Sequence, residues 1–393
     1  MLDLRSHFSR YREASPGRLH LAAHSHHYWP DVTRDAQLQA WDDAARLADR
    51  KWGHVLGPVW EAAQGHVARV LSLPDPKSVV FGQNTFDFWV RLFSCMPTDR
   101  PTRVLATDGE FHSFTRYSRR LAEDGLIDLV TVPVEPFASF EARFAEEAGK
   151  GATTGGYDIV LFSQVLFGSG RVVPDMERLV AAVPDRETFV VIDGYHGFLA
   201  MPTDLSRLAE RVFYMSGGYK YVMSGEGAAF MHCPPGWGER PRATGWYAAF
   251  GALTARQEGA VPYAEDGFRF MGATFDPTAF YRFNAVMDWL ASVGVGAAEA
   301  HAHAHACQRA FVEALEAEGA PLRRDDLVVG LDEPRRANFL AFRRPDAADL
   351  HARLMAADIV TDVRADVLRF GFGLYHAADE MGEAARRVAA AMG

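Results

Sequence analysis

The sequence predicts an α/β fold: a mainly parallel sheet of seven strands covered by helices on both faces, followed by a small C-terminal α+β domain. Three observations carry this. Seven short apolar, β-rich runs alternate with amphipathic helical stretches, as in parallel strands joined by helical crossovers. After about Pro262 that alternation gives way to longer helical stretches and a few short strands. The 393 residues, 48% hydrophobic and 23% charged, suffice for two or three domains whose cores need no disulfide or structural metal.

Taken in order, residues 1–47 read as an N-terminal arm that packs on one or both domains. The large domain, roughly residues 48–265, holds the runs Ser78–Phe81, Arg103–Thr107, Leu129–Val132, Ile159–Phe162, Phe189–Ile192, Val212–Met215 and Ala228–His232. Between them lie helical stretches such as Phe86–Ser94, Phe114–Asp124, Phe137–Lys150 and Met176–Ala182. Ligands of such sheets bind beyond the carboxyl ends of the strands, so residues just after each run are the first candidates for chemistry. Residues 266–393 comprise a connection (GFRFMGATFDP) and the small domain. They include a helical stretch, Phe280–Glu318, broken near Gly294–Gly296, a strand at Val367–Gly371 and a helix at Ala377–Met392.

Charge and composition exclude several classes. Against 41 basic residues stand 51 acidic ones, a net charge of -10 that would repel a phosphate backbone, so nucleic acid is not expected as a partner. No apolar stretch approaches the roughly 18 residues of a membrane helix, so no membrane association is expected. Cys95, Cys233 and Cys307 form no CxxC pair, and the first residues carry charges where a signal peptide would be apolar. A reducing, cytoplasmic setting is the expectation.

Only four of the basic residues are lysines: Lys51, Lys77, Lys150 and Lys220. Arginine stays protonated and cannot form an imine, so each lysine can be weighed singly. Lys51, Lys77 and Lys150 sit in charged or turn contexts typical of solvated positions. Lys220 sits among apolar and aromatic residues, with Ser216-Gly217-Gly218 before it and Gly225 and Gly227 after it. One strand earlier, Val190-Val191-Ile192 runs into Asp193-Gly194-Tyr195-His196, placing a carboxylate where a buried strand meets a loop; it needs a positive partner to stay ionised. An aspartate after one strand and a lysine after the next is the arrangement that holds pyridoxal 5'-phosphate (PLP) as a Schiff base, with its ring nitrogen kept protonated.

Three segments carry a resemblance. YMSGGYKYVMSGEGAAFMH resembles the cofactor-lysine segment of kynureninases, and IDGYHG is similar to the Asp-x-x-His of kynureninases and class V aminotransferases. LHARLMAADIVTDVRADVLRFGFGLYHAADEM resembles their C-terminal carboxylate-binding motif. The resemblance implies the PLP-dependent transferase fold of the aspartate aminotransferase type and a homodimer with shared active sites acting on a small amino acid. It makes Lys220 the imine-forming lysine and the base for the Cα proton, Asp193 the partner of the ring nitrogen, and His196 a cofactor neighbour. Phe111, in Glu-Phe-His-Ser, would stack on the ring. Asn84 and Thr85, opening a helix, would cradle the phosphate, with Ser216 and Tyr219 adding hydroxyls. Trp246 would lie near the phosphate, Thr274 would reach it from the partner subunit, and Arg369 would hold the substrate α-carboxylate.

The implied reaction is hydrolysis of the Cβ–Cγ bond of kynurenine or a related γ-keto amino acid to alanine and an aromatic acid, with class V transamination as the alternative. A catalytically silent binding protein of the same fold would be expected to lack at least one of Lys220, Asp193 and Arg369. Cysteine desulfuration needs a nucleophilic cysteine on a mobile loop, whereas Cys307 falls in a helical stretch. The chain departs from the kynureninase pattern around the substrate: Ala23-His24-Ser25-His26-His27 stands where an Asn-Ser-Leu-Gly type segment is usual, and Phe114 stands where an aspartate is usual. His24, His26 and His27 read as substrate-pocket or packing residues. His301, His303 and His305 lack the Glu between them of helical zinc sites, so no metal is expected there.

Overall fold

The apolar runs become strands because sheet neighbours and flanking helices bury them on both faces. The computed structural model describes all residues except 1, 155, 174, 253–258 and 334. Its strands are β1 (Leu19–His20), β2 (Val79–Gly82), β3 (Thr102–Thr107), β4 (Ile127–Val132), β5 (Ile159–Ser163), β6 (Phe189–Asp193), β7 (Val212–Gly217) and β8 (Ala229–His232). Then come β9 (Phe339–Arg343), β10 (Ile359–Val360), β11 (Asp362–Arg364) and β12 (Val367–Gly371).

The large sheet has seven strands in the order β2-β8-β7-β6-β5-β3-β4. Its strands run parallel except β8, which is antiparallel to both β2 and β7. The central strands β5 and β7 are buried along their whole length, which is why they read as continuous apolar runs; edge strand β4 exposes its middle. In register, Ser163 of β5 lies beside Asp193 of β6, and Asp193 beside Met215 of β7, so these carboxyl ends share one rim. The chain then reverses into β8 through a loop closed by Gly218 N donating to Ala228 O and Ser224 N donating to Gly218 O, each at 2.9 Å. Lys220 sits on that loop.

The long helical stretch is two helices, Thr278–Ser292 and Ala297–Ala317, separated at Gly294, whose φ of 67° suits glycine. The small domain sets the antiparallel sheet β11-β12-β9 against helices Ala297–Ala317, Ala347–Ala356 and Met381–Met392, over a core including Phe311, Phe342, Leu368 and Phe370. The arm joins both parts. Its β1 pairs in parallel with β10, Ala22 bridges to Gly371, and its helix Val32–Leu47 packs along Thr278–Ser292. The helix expected from Phe114 starts at His112, because the polar His112-Ser113 pair hides its first turn from apolar periodicity. No described helix is long and apolar enough to cross a membrane.

Candidate active site

A cavity of about 480 Å³ opens at the carboxyl ends of the large sheet, within the range of roughly 300–1,000 Å³ usual for ligand pockets. Lys220, Asp193, His196, Asn84, Thr85, Phe111, Tyr219 and Arg369 all line it. Strand ends supply Asp193 and the loops bearing Lys220, Phe111 and His196, while the small-domain strand β12 supplies Arg369.

Lys220 Nζ lies 2.5 Å from His196 Nε2, 5.0 Å from the centre of the Tyr195 ring and 5.5 Å from that of Phe111. Burial pushes its pKa down to about 7, against the opposing pull of Asp193. A large share of the amine is therefore uncharged near neutrality, the form that can attack a carbonyl carbon. Burial and the lysine beside it hold the His196 ring neutral, far below the ordinary histidine range. His196 Nε2 can thus accept from the amine, while Nδ1 has no partner among the described residues.

The remaining walls fit PLP. Burial raises the Asp193 carboxyl, offset in part by Tyr195 N donating to Oδ1 at 2.9 Å and by the charge of Lys220. A protonated ring nitrogen would hold it as a carboxylate. Asn84 caps helix Thr85–Phe93, its Oδ1 accepting from Asp87 N at 3.1 Å, and the start of that helix, Asn84 and Thr85, lines the cavity together with Ser113. Such an end favours a phosphate. Half-exposed Phe111 offers a flat apolar face at the mouth.

Behind the Arg369 wall, Asp362 gathers two guanidiniums. Its Oδ2 accepts from Arg369 Nη2 and its Oδ1 from Arg364 Nη1 at 2.6 Å. Burial alone would raise Asp362, but His24, Arg369 and Arg364 hold it below the usual carboxylate range. Arg369 Nη1 is tied to Phe167 O. Asp362, Arg364 and Phe167 were not singled out from sequence, nor was Glu110. Glu110 is buried behind the Phe111 loop, accepting from Thr107 Oγ1 and Ser163 Oγ at 2.5 Å each and from Ser163 N at 3.2 Å. Burial and nearby Asp193 push its pKa up to about 7 against those hydrogen bonds. Its place one residue before the expected stacking aromatic was the only sequence signal.

Three expected residues lie elsewhere. Ser216 is not in the cavity: β7 continues through Gly217, so Ser216 stays inside the sheet with its hydroxyl donating to Gly194 O at 3.3 Å. Trp246 and Thr274 also do not line this chain's cavity. Their segments meet on the surface, where Tyr247 N donates to Gly272 O at 3.2 Å and a Cβ on Gly245 would collide with Gly272. Trp246 stacks on Tyr247 at 4.1 Å, and it and Thr274 are exposed. The helical histidines have protein partners: His301 Nδ1 meets Asn338 Oδ1 at 2.8 Å, His303 Nε2 the His376 carbonyl at 3.0 Å, and His305 Nε2 the Arg336 carbonyl at 3.1 Å.

The aminotransferase class-V family model matches residues 43–320, well over half of the chain. The chain belongs to that family. It is a PLP-dependent enzyme, and the cavity residues above fit its cofactor. The kynureninase C-terminal domain model matches residues 301–388, which include Asp362, Arg364 and Arg369. The kynureninase of Deinococcus radiodurans is 27% identical over 370 residues, 88% of this chain and 85% of that one. Isopenicillin N epimerase of Streptomyces clavuligerus is 28% identical over 182 residues, 45% of this chain and 44% of that one. Among solved structures, a C-DES mutant with glycine covalently linked to its PLP cofactor superposes with a TM-score of 0.78 at 18% identity, covering 98% of each chain. The cysteine desulfurase of Thermococcus onnurineus gives 0.72 at 15% identity, covering 95% of each. These two likenesses are of fold.

Proposed function

We propose that this class V enzyme is a kynureninase-like hydrolase that cleaves the Cβ–Cγ bond of kynurenine or a related γ-keto amino acid to alanine and an aromatic acid. The observation that carries this reading is Arg369: it lies within the stretch matched by the kynureninase C-terminal model and lines the same cavity as Lys220.

Bound PLP supplies an electron sink conjugated to the substrate's Cα. In this reading the chain's own groups orient the substrate and move protons. Arg369 takes the α-carboxylate and so fixes the direction of the side chain. Lys220 Nζ, uncharged in good part near neutral pH, collects the Cα proton, and neutral His196 holds the amine in place. Asp193 keeps the ring nitrogen charged. The surface patch of Trp246 and Thr274, outside this chain's cavity, suits a homodimer in which each copy completes its partner's phosphate site.

Cysteine desulfuration is disfavoured. Burial pushes the Cys95, Cys233 and Cys307 thiols up to about 12, and none of them lines the cavity. A second reading, class V transamination of another amino acid, draws support from His24, which lines the cavity in the segment that departs from the kynureninase pattern. The deciding experiment gives PLP-loaded protein L-kynurenine and, separately, 3-hydroxykynurenine, and follows fluorescence of the anthranilate product together with alanine release. Alanine and the aromatic acid in equal amounts are the expected result. Release of a keto acid instead would move the assignment to transamination.

A further inference from the structure

His24 is wholly shielded from solvent, yet neither ring nitrogen has a hydrogen-bond partner within 3.5 Å among the described residues, a condition native interiors seldom tolerate without a reason. The ring is held on two sides. It stacks on Phe339 with centroids 4.6 Å apart at 22°, and Gly371 leaves the space that Nδ1 occupies, since a Cβ there would collide with it. What remains is the Nε2 edge, which faces Asp362 Oδ2 at 3.6 Å, a long and weak polar contact with room to shorten. Asp362 is the carboxylate that grips Arg369 and Arg364, and Arg369 Nε is itself without a partner among the described residues.

We propose that His24 is a positioning residue for substrate binding, whose Nε2–H closes onto Asp362 when a carboxylate enters at Arg369 and so keeps the arginine clamp in register. This rests on the reading of Arg369 as the residue that binds the amino acid's carboxylate. The physical reason is a competition. An incoming carboxylate shares the Arg369 guanidinium with Asp362, weakening the bond that Asp362 already has, and a donor 3.6 Å away makes up the loss. Burial keeps the ring neutral, so His24 donates without adding charge to a cluster of two guanidiniums and one carboxylate.

The test titrates PLP-loaded protein with L-alanine, read by the cofactor's absorbance, with PLP affinity and melting temperature measured on the same samples. Glutamine places its amide nitrogen near the position of Nε2, and asparagine near that of Nδ1. H24Q is expected to hold alanine affinity within about threefold of the parent, and H24N and H24A to weaken it about tenfold or more, the loss of one hydrogen bond to a charged group. PLP affinity should stay level, H24Q and H24N should melt close to one another while H24A, which opens a cavity against Phe339, melts lower, and with a substrate that turns over the loss should fall on KM and not on kcat. Equal losses in H24Q and H24N, or PLP affinity falling in step with alanine affinity, would overturn the inference. Arg369→Lys separates the two claims. If it leaves alanine binding unchanged, the reading of Arg369 fails; if it weakens binding while H24N and H24A do not, only the role of His24 fails.

Discussion

Lys220 Nζ and His196 Nε2 stand 2.5 Å apart, joining the loop after β7 to the loop after β6 across the floor of the cavity. Both groups are buried, and a neutral pair is the arrangement that burial favours. The depressed lysine pKa of about 7 means that the amine gains its nucleophilic form three or more pH units earlier than an exposed lysine would. Uptake of PLP by the apo-protein, followed by stopped-flow absorbance, should therefore accelerate up to about pH 7 and then level off. A rate still climbing toward pH 10 would mean an ordinary lysine. Lys220→Ala should leave no borohydride-stable cofactor on the chain, and labelling at full stoichiometry in that variant would remove Lys220 from its role.

Asp193 should matter to rate more than to binding. Asp193→Asn keeps the shape and the hydrogen bond from Tyr195 N but removes the charge that would face the ring nitrogen of bound PLP. Turnover is expected to fall by about 10²-fold or more, as when a preorganised electrostatic contact is lost, while PLP is retained on gel filtration. Near-parental turnover would show that the carboxylate does not serve the cofactor ring.

Glu110 should leave a mark on stability against pH. Its pKa is raised from 4.5 to about 7, so between those values the folded state holds more protons than the unfolded one. Stability from this group therefore falls as pH rises from about 4.5 through 7, and is level above. Glu110→Gln mimics the protonated acid and lacks that decline. The stability difference, parent minus variant, measured by urea unfolding at pH 5 and pH 8, should be smaller at pH 8. A difference that is flat or grows with pH would mean that Glu110 is ionised throughout.

Gly194 is needed for packing behind the site. A Cβ there would run into the Tyr214 ring, whose hydroxyl is held by Gln164 Oε1 at 2.8 Å. Gly194→Ala should cost roughly 1–3 kcal/mol by overpacking and, by moving the neighbouring Asp193, weaken PLP retention. Thermal melts of the apo form read the first effect and equilibrium dialysis the second; no change in either would mean that Tyr214 swings aside freely.

The sheet was legible because its central strands are buried on both faces and so read as unbroken apolar runs, and the Asp193–Lys220 pair because each follows such a run. Ser216 was misplaced by a single boundary: Gly217 reads as a loop, but its backbone continues the ladder of β7 with Ala229. Asp362 and Glu110 escaped notice because one carboxylate in ordinary surroundings carries no spacing signal; only tertiary burial makes it unusual. His24 was visible as part of a histidine cluster, but its relation to Asp362 depends on a strand close to the other end of the chain.

That relation has a consequence for the order in which the molecule is made. Leu19 pairs with Ile359 and Ala22 with Gly371, so the first strand of the chain has its neighbours near the last. On the ribosome the arm emerges before β10 and β12, so its native pairing waits until they have left the exit tunnel. The large sheet, complete by β8, can form well before then. The wall that carries His24 closes last, so a nascent chain that has already folded its lysine loop still lacks a finished pocket.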